Sequence, residues 1–114
     1  MSHLSILPTV LRDAALLASC LKALGFQPSR GGVVTGFAGE REPVDLQVPV
    51  SRELILGWRQ QPDGSLALVG DLQRLSHTTR VHDLLGRITR RYAAALALQE
   101  AERHFRGAEV SVGL

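Results

Sequence analysis

An acid–base site could be assembled from Asp45, Asp71, His77 and Asp83 if the fold brought them together. Such groups act only when each lies within hydrogen-bond reach of the same substrate, so they would need a fold that brings them together. Nothing in their spacing requires this, and Asp45 and Asp71 are equally well explained as strand-end or turn residues. Asp45, Asp71 and His77 therefore stand as pocket candidates, and no residue is assigned a catalytic role. Whether the chain is an enzyme stays open at this level, with the non-enzymatic reading the stronger.

The four histidines, His3, His77, His82 and His104, raise the question of a metal. None has a partner at the i, i+4 spacing of a helical zinc site, and one cysteine cannot complete a structural zinc set. His3 at the third position could join the amino terminus in a square-planar copper or nickel site, but removal of Met1 before Ser2 would destroy that register. Gly31-Gly32 and Gly36-Phe37-Ala38-Gly39 fit neither the P-loop nor the dinucleotide fingerprint. No metal and no cofactor is assigned. Cys20 cannot form an internal disulfide, and it falls on the apolar face of a helix, where a buried inert thiol is expected.

Recognition is the other chemistry within reach. Of the 13 basic residues one is Lys22, leaving twelve arginines, with a net charge of +2 and a sequence pI near 9.3. Arg87, Arg90, Arg91 and Arg103 share a long helix and read as a basic stripe, partly offset by Glu100 and Glu102. Its plain reading is a solvated face, and its functional reading is a docking surface for an acidic protein or for nucleic acid. Aromatics are only 4% of the chain, so the base-stacking platform of a dedicated nucleic-acid binder is missing. Trp58, the single tryptophan, is expected in the core beside Gly57, or with Arg41 and Arg59 as an anchor for a partner.

The elements that position these residues follow from hydrophobic periodicity and turn chemistry. Ser2 to Leu7 reads as a short edge strand stopped by Pro8. Asp13 caps a helix whose apolar stripe is Leu16, Leu17, Cys20, Leu21 and Leu24, closed by Gly25. After a loop from Pro28 to Gly32, Val33–Phe37 and Val44–Val50 read as strands around a polar turn at Gly39 to Pro43. Leu54–Gln60 and Ser65–Asp71 form a hairpin about Pro62-Asp63-Gly64. Thr78 or Thr79 begins the long helix, which runs from Thr79 to Phe105 with Val81, Leu84, Leu85, Ile88, Tyr92, Ala95 and Leu96 inward. Within it, Gly86 is expected to mark a close contact with the sheet. Gly107 is expected to end the helix and Glu109–Val112 to add a last strand. The fold class is α+β in the order β-α-β-β-β-β-α-β, an antiparallel sheet of five to six strands with two helices on one face.

At 114 residues the chain fits one domain, 1–114, and 45% hydrophobic with 21% charged residues is the balance of a globular core. No apolar run approaches the roughly 20 residues that span a bilayer, and no signal-peptide layout opens the chain, so a cytoplasmic protein without membrane insertion is expected. Helices on one face leave the other face of the sheet bare. Leu46, Val48, Ile55 or Leu68 would then need cover there, which predicts a homodimer.

Several short motifs resemble a known family. Met1-Ser2-His3-Leu4-Ser5, Leu24-Gly25-Phe26, Gly36-Phe37-Ala38-Gly39 followed by Asp45, Leu56-Gly57-Trp58 with Asp63-Gly64 and Asp71, and Arg91-Tyr92-Ala93 are similar to the hypothetical chloroplast reading frame thirty-five family. The chain departs from that pattern at Leu4 and at Leu72-Gln73-Arg74-Leu75, where the family is more often aromatic. The resemblance implies a cyanobacterial or plastid setting and supplies no catalytic residues. The combined reading is a non-enzymatic binding or assembly module acting through a protein partner. Alternatives are a nucleic-acid-binding regulator using the arginine stripe and a ligand binder or enzyme with a pocket between sheet and helices.

Overall fold

In the computed structural model, residues 4–36, 39–52, 54–71 and 79–112 are described. The expectations placed on Ser2, His3, His77 and the connection from Leu72 to Thr78 fall outside them. The order is β1 (Leu4–Pro8), α1 (Ala14–Ala23), β2 (Ser29–Arg30), β3 (Val33–Thr35), β4 (Arg41–Pro43), β5 (Leu46–Pro49), β6 (Ile55–Gln60), β7 (Leu66–Asp71) and α2 (Thr79–Val112). Five strands form one antiparallel sheet in the order β1-β7-β6-β5-β2, and β3 and β4 form a separate ribbon. The fold is α+β.

Local chemistry sets both ends of α1 and the β6–β7 turn. Asp13 sits in extended backbone and its carboxylate accepts the Leu16 amide at 3.0 Å, which satisfies a free donor at the start of α1. At the other end Gly25 takes φ +96°, with Gly25 N–H donating to Lys22 C=O and Phe26 N–H to Leu21 C=O, both at 3.0 Å. That bond pair is the Schellman cap, and it throws Phe26 back against the helix. In the β6–β7 turn Gly64 adopts φ +88°, and Asp63 accepts both the Ser65 amide and its hydroxyl.

The two-residue period of the strands then sorts the side chains. Leu46 and Leu68 stand opposite Trp58 across the sheet, and Val48 opposite Leu56. These five side chains bury together against Leu16, Leu17, Cys20 and Leu21 of α1 and Leu84, Ile88 and Tyr92 of α2. Both helices therefore lie on one face. The reverse face holds Val69, covered by Val34 and Val44 with Leu4 beside them. Gly57 makes that cover fit, since a Cβ there would stand 2.7 Å from both Val34 Cγ2 and Val44 Cγ1.

Four expectations are corrected. Leu46, Val48 and Leu68 lie under the helices, and of the group expected to need cover only Ile55 is exposed. Gly31 and Gly32 at positive φ turn the chain sharply after Ser29–Arg30, which pairs with β5, so the expected loop contains β2; Arg41–Pro43 pairs with β3, so the expected turn contains β4. Gly86 meets the guanidinium of Arg90 on its own helix, not the sheet. Finally, Glu109–Val112 is not a strand, because α2 continues through Gly107 to Val112. One glycine costs a helix about 1 kcal/mol, which weakens it without stopping it.

Candidate interaction surface

Helix α2 carries the four exposed arginine candidates and several exposed apolar side chains. Its 34 residues span about 51 Å at 1.5 Å per residue, whereas six-residue strands reach only about 20 Å. The molecule measures 65 × 29 × 20 Å with a radius of gyration of 16.6 Å, against about 13 Å for a compact domain of this length. The excess is the free end of α2.

Tyr92 marks where the helix leaves the body. Its hydroxyl accepts the amides of Arg12 at 3.1 Å and Asp13 at 2.9 Å, which ties the start of α1 to α2. Beyond it Ala95 and Gln99 are half-buried, and every residue from Glu100 to Arg106 is exposed. Leu98 is 62% exposed and Phe105 64%. Arg106 pairs with Glu102 at 3.8 Å on this end.

The four arginine candidates are all exposed, but they do not form one stripe. At about 100° per residue Arg87, Arg90 and Arg91 fall within a sector of about 100°, whereas Arg103 lies about 160° around the axis from Arg87. Arg90 folds over Gly86. Arg91 is close enough to Cys20 to oppose slightly the burial that pushes this thiol's pKa up. Trp58 is 1% exposed, in the core between Leu46 and Leu68, and therefore offers no surface to a partner.

Of the pocket candidates, Asp45 and Asp71 are not brought together. By the strand registers Asp45 stands next to the Arg59 end of β6 and Asp71 next to the Ile55 end, two strands apart. The separation is four residues along the sheet, about 13 Å, and about 10 Å across it. Asp45 is exposed and accepts the Gln60 amide at 2.6 Å, so it closes the end of β6. Asp71 is buried opposite Leu4, and His77 lies outside the described residues. His82 and His104 are exposed. Among the described residues no three His, Cys, Asp or Glu side chains cluster as a metal site would need, and no helix is long and apolar enough to cross a membrane.

A cleft does exist between helices and sheet, at a different place. It has a volume of ≈ 480 Å³ and is lined by Phe26, Val50 and Leu84, with Asp83 and Arg87 beside them. Phe26 reaches it through the Schellman cap, a placement signalled in sequence by an aromatic residue directly after Gly25. An apolar wall with one carboxylate and one guanidinium suits a small amphipathic group or a protruding side chain.

Sequence reading also missed the apolar flank at the free end of α2. Ala94, Leu98, Ala101 and Phe105 recur at 4-3-4 spacing, and the inward stripe through Ile88 and Tyr92 drew attention away from it. The signal was a second heptad phase on the same helix.

No curated protein and no solved structure matches the chain significantly. One family does match, over residues 20–112, which takes in α1 from Cys20, every strand after it and α2 to Val112. The chain belongs to that family, whose description is a protein of unknown function (DUF1257).

Proposed function

We propose that this chain is a non-enzymatic binding and assembly module that acts through protein contacts, with the free flank of α2 as its contact surface. The observation that carries the reading is the pair Leu98 and Phe105, 62% and 64% exposed on a helix that projects past its own core. Large apolar side chains grouped on such a projection lower their free energy by leaving water, and each contributes roughly 1.5 to 3 kcal/mol when fully covered. The setting is cyanobacterial or plastid, as the motif resemblance suggests, and cytoplasmic, as the absence of a spanning or signal-peptide pattern in the sequence suggests.

Affinity capture of the tagged full chain from a cyanobacterial lysate tests this, with and without nuclease, beside a Leu98→Glu, Phe105→Glu double variant. A protein partner that survives nuclease and is lost from the variant is the expected result. Capture that is indifferent to both substitutions would sink the reading. Capture that disappears with nuclease would instead favour nucleic acid bound through the sector of Arg87, Arg90 and Arg91.

A further inference from the structure

We infer that the free flank of α2 pairs with a second copy of this chain, antiparallel, along Ala94, Leu98, Ala101 and Phe105. The inference rests on the reading of α2 as a contact surface and names its occupant. The four positions fall within an arc of about 60° on the helix, roughly 110° away from the arc of Leu84, Ile88 and Tyr92 that faces the core. All four are exposed. Their 4-3-4 spacing matches the 3.5-residue period of a helix–helix seam. In the same phase Ala108 and Val112 follow in the sequence, whereas Arg87 and Arg91 precede. The apolar run thus begins just past Tyr92, the residue that holds the start of α1.

Size alternation selects the partner and its direction. Along the seam small and large side chains alternate: alanine, leucine, alanine, phenylalanine. In a parallel pair like faces like, so two Phe105 rings would crowd at one level and alanines would face each other at the next. In an antiparallel pair centred between Gln99 and Glu100, Leu98 meets Ala101 of the second copy and Phe105 meets its Ala94. Every large residue then has a small one opposite, the interdigitation a dense seam needs.

The flanks agree with this offset. Glu102 comes opposite Ala95 of the second copy and His104 opposite its Ala97, so no like charges face each other. A two-fold axis relates the copies, and one surface serves both. Each folded body lies N-terminal to Ala94, so antiparallel helices hold the bodies at opposite ends of the shared segment, where parallel helices would press them together. The overlap is short. It covers on the order of 1,000 Å² in total, near the lower limit for a specific interface, so a reversible dimer is expected.

Sedimentation velocity on the purified full chain between about 1 and 200 µM is the first test. A monomer–dimer equilibrium is expected, shifted to monomer at least tenfold by Leu98→Glu and independently by Ala101→Arg, both at exposed sites and both checked for native circular dichroism. Register is tested by disulfide formation in a Cys20→Ala background. Mixed Leu98→Cys and Ala101→Cys copies should cross-link, and neither variant should cross-link with itself. A monomer throughout that range would overturn the inference, as would a dimer insensitive to both substitutions or a Leu98→Cys homodisulfide. Lysate capture lost on substituting this flank, alongside a strictly monomeric pure protein, would overturn the self-pairing and leave the contact surface standing.

Discussion

Replacing Tyr92 with phenylalanine should loosen the junction of the two helices and nothing else. The ring is 5% exposed within the core cluster and would keep its packing. Only the hydroxyl is lost, and with it the acceptor for the Arg12 amide at 3.1 Å and the Asp13 amide at 2.9 Å. Each neutral hydrogen bond contributes about 0.5–1.5 kcal/mol net, so the loss should be about 1–3 kcal/mol, with the lower half favoured because both donors are only partly buried and water can reach them. For a chain of this length that corresponds to a fall in Tm of very roughly 4–12 °C. Urea unfolding followed by circular dichroism measures the free energy directly, and an unchanged m value would show that the native body has not loosened elsewhere. Asp13→Ala removes the α1 cap at a cost of about 1 kcal/mol. Because both changes act on the first turn of α1, the double variant should lose less than the sum by at least 0.5 kcal/mol. A Tyr92→Phe variant within 0.3 kcal/mol of wild type, or strict additivity with Asp13→Ala, would refute the claim that this hydroxyl joins α1 to α2.

Three further outcomes are expected. Gly57→Ala places a methyl 2.7 Å from Val34 Cγ2 and Val44 Cγ1, so overpacking should cost about 1–3 kcal/mol in a denaturation experiment, and a neutral result would contradict the fit of the β3–β4 ribbon over the sheet. Burial pushes the Cys20 thiol up from its ordinary pKa of 9.0. The contribution to stability is therefore intact below that value and declines as pH rises through it, and Cys20→Ala should flatten the alkaline limb of the stability–pH curve, with native Cys20 slow to react with thiol reagents. The hydroxyl and then the amide of Ser65 hold the Asp63 carboxyl below its usual pKa. That support is present above the ordinary carboxylate range and is lost as pH falls through it, so Asp63→Asn should make stability less dependent on pH in acid, and an unaltered acid limb would disprove the assignment.

How much of this could be read from the chain differs from element to element. The α1 cap at Asp13, the stop at Gly25 and the turn at Asp63-Gly64 rest on contacts within five residues, so residue type and order were enough. The same holds for the inward stripe of α2 at Leu84, Ile88 and Tyr92, but Leu96, expected inward, is 38% exposed. The extra strands β2 and β4 and the placement of β3 and β5 in different sheets were not legible, because they depend on how Val34 and Val44 cover Val69 and on where Gly57 leaves room. The end of α2 was misplaced for the opposite reason. Gly107 was weighed as a local stop, although no left-handed turn is needed there.

The candidate site shows the same division. Sequence alone determined that this is an α+β chain with a long amphipathic helix, a buried cysteine and no recognisable catalytic motif, since each follows from periodicity and local chemistry. Tertiary structure decided that Asp45 and Asp71 stand apart, that Trp58 is closed inside the core, and that Leu98 and Phe105 stay mostly exposed among the described residues. The physical reason is that a side chain's period records that it prefers to be buried, but only the length of the sheet beneath it fixes whether anything arrives to bury it. Here the sheet ends and the helix continues.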